Sequence, residues 1–129
     1  MAKTVLAFMI KDVASKVKYI VASYATKDLS PETLYAKSWE VIGRLEKADV
    51  KVIAYVCDGS PINRAFIKMH KPLTQGKVIF DNLNFYSPEE RPLFFITDVC
   101  HLIKTMRNCL YKSGEKKPRS MEINGQKLQ

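Results

Sequence analysis

Phe94-Phe95-Ile96-Thr97-Asp98-Val99-Cys100-His101-Leu102-Ile103-Lys104-Thr105-Met106-Arg107-Asn108 is the stretch on which the fold turns. It is a short β-branched and aromatic run closed by an aspartate, then a segment with helical periodicity. That reads as a strand feeding a helix. Asp98 stands at the junction, where a carboxylate caps the first helical turn by accepting a backbone N–H. Beyond it His101, Lys104 and Asn108 share one helix face, with Arg107 beside Lys104. A second apolar run, Val52-Ile53-Ala54-Tyr55-Val56-Cys57, closes on Asp58 in the same way. Its near-continuous apolar content predicts a central strand covered on both faces. Metal-dependent phosphoryl-transfer enzymes often place acids at strand ends, because two cations must bracket the attacking and leaving oxygens. Asp58-Gly59 is also an ordinary turn dipeptide, so the residues alone leave Asp58 open between ligand and turn.

Working outward, Ser60-Pro61 follows Asp58 as a helix start: serine caps and proline suits the first helical position. Ile62, Ala65, Phe66 and Met69 make the apolar stripe of that helix. Ser30-Pro31-Glu32 opens an earlier helix by the same device, with the glutamate at the positive end of the helix dipole. Leu34, Val41, Leu45 and Ala48 recur along it at helical spacing, with Ile42 alongside. Tyr35 and Trp39, four residues apart, are expected to stack, and Trp39 to sit in the core. His70, near a helix end, suits the negative pole of the dipole. Residues 4–10 and 18–25 read as strands joined by a short charged link, which predicts an antiparallel hairpin of open turn type. Residues 71–92 are irregular, with one brief β-like piece at 78–80. The helix after Asp98 is expected to run from about Val99 to Lys112 with Leu102, Met106, Cys109 and Leu110 inward, broken by residues 113–118. Residues 121–125 read as a final strand and turn.

The resulting order, β-β-α-β-α-(β)-β-α, implies an α/β fold: a mixed sheet with flanking helices. It is the order of a ribonuclease H-like fold from its second strand onward, with the first strand expected before Met1. The 129 residues suit one domain, 1–129, and 47% apolar content fills one core. No run of 18 apolar residues occurs, which excludes a spanning helix. Residues 1–10 read as a strand rather than a signal peptide, since the apolar run is short and ends at Lys11-Asp12. Three cysteines without CxxC spacing argue against a disulfide framework or structural zinc and fit an intracellular compartment. Cys57 and Cys100 are expected as buried small hydrophobes.

The net charge is +8 and is concentrated late. From His101 onward there are seven bases against two acids, Glu115 and Glu122. A basic end, about 113–129, fits a polyanion partner or a solubilising tail equally. Five glycines give no dinucleotide fingerprint or phosphate-binding loop, and there is no GxSxG and no metal-spaced histidine pair. An unrelated nucleotide-dependent or hydrolytic enzyme is therefore disfavoured.

Three motifs together resemble one family. Val56-Cys57-Asp58-Gly59-Ser60-Pro61-Ile62-Asn63-Arg64 resembles the Asp-Gly-x-x-x-Asn segment of P element-type transposases, a group that includes THAP-domain relatives. Residues 98–108 resemble that family's Asp-Pro-Pro-His-Leu helix with its terminal Arg-Asn, and Leu6-Ala7-Phe8-Met9-Ile10 resembles its Phe-Met strand. They occur in the family's order and cover nearly the whole chain. The resemblance implies a ribonuclease H-like core for DNA cut-and-paste transposition, dependent on Mg²⁺ or Mn²⁺ and on two aspartates and a glutamate. Asp58 corresponds to the second acid. The first acid belongs to the first strand, and the glutamate comes beyond an inserted guanine-nucleotide-binding region, so this chain is expected to be catalytically incomplete, as remnant or fragment. Asp98 is a further candidate ligand. His101, Lys104, Arg107 and Asn108 are candidate contacts to DNA phosphates. The family's two prolines are replaced by Val99 and Cys100, which puts a rigid turn before His101 in doubt. Asn63 is expected to reach the Asp98 loop. A DNA partner implies a nuclear protein, and an open sheet edge implies a partner strand or self-association. The alternative is a non-enzymatic module that binds nucleic acid or protein.

Overall fold

The computed structural model describes residues 4–70, 80–116, 121–123 and 126–128. β1 (Thr4–Lys11) and β2 (Lys18–Thr26) form the expected antiparallel hairpin. Thr4 lies opposite Thr26 and Lys11 opposite Lys18, with a register shift between Phe8 and Met9. The Asp12 carboxylate accepts the Ala14 N–H at 3.2 Å, and the Asp12 N–H donates to the Val17 carbonyl at 3.2 Å. These bonds fix the link whose type the sequence leaves open.

Both serine-proline starts behave as read. α1 (Pro31–Lys47) is capped by Ser30, whose hydroxyl accepts the Thr33 N–H at 3.1 Å. α2 (Pro61–Lys68) is capped by Ser60, which accepts the Asn63 N–H at 3.3 Å. α1 ends with Asp49 at φ 61°, its N–H bonded to the Glu46 carbonyl, and the Val50 N–H returns to Leu45 at 2.9 Å. This is a Schellman closure, with aspartate where glycine is usual.

β3 (Ala54–Cys57), β4 (Phe80–Leu83) and β5 (Pro92–Thr97) make a mixed three-stranded sheet in the order β3-β5-β4. β3 runs parallel to β5 and β4 antiparallel to it. The hairpin forms its own two-stranded sheet, so no strand among the described residues joins β1 to β3. α3 (Val99–Lys116) follows, then the hairpin β6 (Met121–Ile123) and β7 (Gln126–Leu128). Expectations on 71–79 and on the side chains of 113–129 lie outside the described residues.

The core lies between one face of the three-stranded sheet, the hairpin and helices α1 and α2. Leu34, Trp39, Ile42, Phe66, Leu93 and Phe95 form its buried cluster, with Leu6, Phe8, Tyr35 and Tyr55 packed against it. Tyr35 and Trp39 approach at 6.3 Å between centroids, tilted rather than stacked face to face. Ile67, not Met69, completes the packed side of α2, and Met69 is exposed.

Four expectations are corrected. β3 starts at Ala54, three residues later than the apolar run. The backbone of Val52 is engaged by side chains instead: its N–H donates to Glu46 at 2.8 Å and its carbonyl accepts from Arg91 at 2.9 Å. β3 is also an edge strand of its sheet and is bare on one face, with Val56 62% exposed. The central strand is β5, where Leu93 and Phe95 face the core while Phe94 and Ile96 face outward. α3 continues through Ser113 and Gly114 to Lys116, and Leu102, Met106, Cys109 and Leu110 are exposed rather than inward. Finally, Cys57 is half-buried and Cys100 exposed, because Cys100 lies on the first turn of α3, outside the core.

Candidate functional site

Parallel pairing brings the two aspartates together. Cys57 ends β3 opposite Thr97, which ends β5. The next residue of each chain segment is an aspartate, so Asp58 and Asp98 stand at the same carboxyl edge of the sheet. The Asp98 N–H donates to the Cys57 carbonyl at 2.8 Å and locks the two ends.

Asp58 is held by its own loop. Its Oδ1 accepts the Ser60 N–H at 3.0 Å and the Asn63 side-chain amide at 2.6 Å. The Ser60 backbone N–H, the Asn63 amide and the Ser60 hydroxyl hold the carboxyl below its usual value against the opposing effect of burial, and the nearby His101 adds to this. Asp58 is thus both the turn residue and a poised anion. Asn63 bonds to Asp58 and not to the Asp98 loop, because the Ser60 cap turns α2 back over its own entry. Asp98 caps α3: its Oδ1 accepts the Cys100 N–H at 3.0 Å, and its carbonyl accepts the Leu102 N–H at 3.1 Å. Valine and cysteine in place of the two prolines leave that junction intact.

On α3, His101, Lys104 and Asn108 fall within an arc of about 60° at 3.6 residues per turn. All three are exposed, as is Arg107, whose guanidinium donates to Asn108 Oδ1 at 3.2 Å. No acid occurs between Val99 and Gly114. The face is therefore positive and open to solvent, not the packed structural face the sequence also allowed.

Among the described residues no three His, Cys, Asp or Glu side chains cluster as a metal site. Two neighbouring carboxylates, each with an oxygen engaged by backbone N–H groups, do not fit a complete two-cation cage. Cys57 offers no thiolate, since burial first and then the Asp58 charge push its thiol up to about 11. An open hollow of about 420 Å³ lies between residues 4–6, residues 26–29 and Ile62, and none of the candidate residues lines it.

Two further groups have no sequence signature. His70 is buried: its Nε2 accepts the Trp39 indole N–H at 3.0 Å, and its Nδ1 lies 3.0 Å from the Phe66 carbonyl. It is a core residue, beyond the dipole role its position implied. Glu46 accepts from Val52, Asn84 and both reachable hydrogens of one Arg91 nitrogen, at 2.8 to 3.0 Å. Only a helix with a buried glutamate and an arginine 45 residues later hint at that network.

The order of elements, the parallel β3–β5 pair and acids at its carboxyl edge define an α/β domain of the ribonuclease H-like class. The family model described as "TNP-like, RNase H N-terminal domain" matches residues 1–71, and the chain belongs to that family. Among solved structures it resembles the Drosophila P element transposase strand transfer complex, with a TM-score of 0.58 and 20% identity over 99% of this chain. At that identity the likeness is one of fold. The chain spans 30% of that longer protein chain. No curated protein matches the sequence. No helix among the described residues is long and apolar enough to cross a membrane.

Proposed function

We propose that this chain, as a single partial domain over 1–129, supplies part of the DNA strand-transfer core of a transposase-type protein and is catalytically incomplete alone. The observation that carries the reading is Asp58: an aspartate at the carboxyl edge of a parallel strand pair, kept ionised by Ser60 and Asn63. Mg²⁺ or Mn²⁺, when bound in such a core, neutralises charge on the attacking and leaving oxygens. Asp58 would hold one such ion, with Asp98 a weaker second donor because its first duty is the α3 cap. The remaining ligands would come from other parts of a longer or assembled protein. The unpaired edges of β1 and β3 support a partner strand or self-association in that assembly. A DNA substrate implies an intracellular, nuclear site of action.

Titration of the purified chain with Mn²⁺, followed by NMR broadening of backbone amides, tests this. Broadening centred on Asp58 and Asp98, lost in Asp58→Ala, is the expected result. Magnesium-dependent DNA cleavage by the chain alone, abolished in Asp58→Ala, would overturn the incompleteness.

A second reading, a nucleic-acid-binding module without catalysis, is favoured by the exposed face of His101, Lys104, Arg107 and Asn108. Duplex DNA affinity should then fall with salt, and Lys104→Ala should reduce the salt slope by about one unit. Salt-insensitive affinity argues against phosphate contact.

A further inference from the structure

α3 carries a second face that the DNA reading does not use. Val99, Leu102, Ile103 and Met106 recur at i, i+3, i+4 and i+7, an arc of about 100° at 3.6 residues per turn. They are 60%, 50%, 60% and 45% exposed. An amphipathic helix in water buries such a stripe, yet nothing in the chain covers this one. Arg107 flanks the stripe on one side and Lys112 on the other, with no acid between Val99 and Gly114.

We infer that this stripe is a docking surface for an acidic amphipathic helix of another polypeptide segment. The spacing is that of helix-in-groove anchors, a ridge one helix wide. The two basic flanks lie where a partner helix places its rim residues, and they select acids there. Charge decides against a second copy: paired α3 helices would oppose bases to bases, in a chain of net charge +8. It decides for acid over base in any helical partner. A lipid surface accepts basic amphipathic helices as well, but it is gripped by a broad face with Trp or Phe, and this stripe is narrow and holds neither. Nucleic acid leaves an aliphatic stripe wet.

The test uses the full 129-residue chain and a synthetic 18-residue amphipathic peptide, leucines on one stripe and glutamates on its flanks, read by fluorescence anisotropy. The control peptide carries lysines for the glutamates. Anionic phosphatidylserine vesicles form a third arm, and sedimentation of the chain alone a fourth. The glutamate peptide should bind and the lysine peptide should not. Affinity should drop about tenfold or more in Leu102→Ser/Met106→Ser, as for a buried anchor pair, and also in Arg107→Glu/Lys112→Glu. The charge variant leaves the apolar residues in place, so it decides the matter should the serine variant lose its fold by circular dichroism. Equal binding of both peptides, no binding of either, vesicle recruitment through Leu102 and Met106, or self-association lost in the serine variant would each overturn the proposal.

Discussion

The two faces of the central strand lead to different halves of the molecule. On one face of β5, Leu93 and Phe95 meet Trp39, Phe66 and His70 in a layer of contacting rings, with His70 and Phe95 only 4.5 Å apart between centroids. On the other face Phe94 and Ile96 meet solvent, and the helix that follows exposes its apolar residues as well. The sequence of β5 is aromatic or β-branched on both faces, so apolar content does not distinguish them. What distinguishes them is polar anchoring. The packed half is tied by Glu46–Arg91, Asn84, and His70–Trp39, all buried or nearly so. The exposed half has only the Asp98 cap and the surface bond of Arg107 to Asn108. The packed half therefore carries stability, and the exposed half is left for partners.

The largest effect expected from this division is at Glu46. Glu46→Ala leaves the Arg91 guanidinium, the Val52 N–H and the Asn84 amide without their acceptor, a loss of about 3–5 kcal/mol as for a broken buried ion pair. Leu102→Ser on α3 should cost within about 0.5 kcal/mol, as at other exposed positions. Urea denaturation of both variants checks this. Equal losses would mean that the exposed half carries stability after all. Burial pushes the Glu46 carboxyl up, but the Val52 N–H, Arg91 and Asn84 outweigh it and leave it lowered from 4.5. A lowered carboxyl contributes stability above its unfolded value, and that contribution is lost as pH falls through the folded one.

His70 gives a smaller effect at higher pH. Burial holds its imidazole below 6.5, against the opposing pull of the Phe66 and Ile67 backbone. The unfolded chain therefore takes up a proton near 6.5 that the folded chain resists. Stability is full above that value and declines as pH falls through it, by about 1.4 kcal/mol for each unit of lowering. Thermal melts from pH 8 to pH 5 should show a declining midpoint in the natural chain. The decline between about pH 7 and pH 5 should be absent in His70→Gln, where no imidazole titrates. A parallel decline in both would remove His70 as the cause. Acid should thus loosen the packed half in two stages, first at His70 and then at Glu46.

Much of the fold was legible because its signals are local. Ser30-Pro31 and Ser60-Pro61 each need only a serine oxygen three residues from an N–H, and both caps form as read. The hairpin, the mixed sheet and the pairing of Asp58 with Asp98 at one edge follow from apolar runs that end in aspartate. What failed was everything that depends on the neighbour rather than the chain. Periodicity says that Leu102 and Met106 share a face of α3, but not that this face meets no other element. An apolar run predicts a strand through Val52, but not that Glu46 and Arg91 will take its backbone bonds. Asn63 was expected to cross to another loop, yet the nearer carboxylate of Asp58 captures it at 2.6 Å. His70 lies 31 residues from Trp39, and no spacing rule links them.

The smallest effect lies at the end of α1, where the packed half carries a local misfit. Asp49 has φ 61°, the left-handed region in which a Cβ crowds the following carbonyl and glycine does not. The Schellman bonds of Asp49 and Val50 to Glu46 and Leu45 require that conformation. Aspartate holds it because the closure delivers Val52 to Glu46 three residues on, so the network enforces the strained residue. Asp49→Gly removes the strain while keeping both backbone bonds, and the greater freedom of glycine in the unfolded chain offsets part of the gain. The net change should be a stabilisation of about 0.5–1 kcal/mol, measured as a higher urea midpoint with unchanged slope. In the Glu46→Ala background the left-handed turn is no longer held by its anchor, so the same substitution should have a different effect there. Strict additivity of the two substitutions would show that the turn and the network act independently.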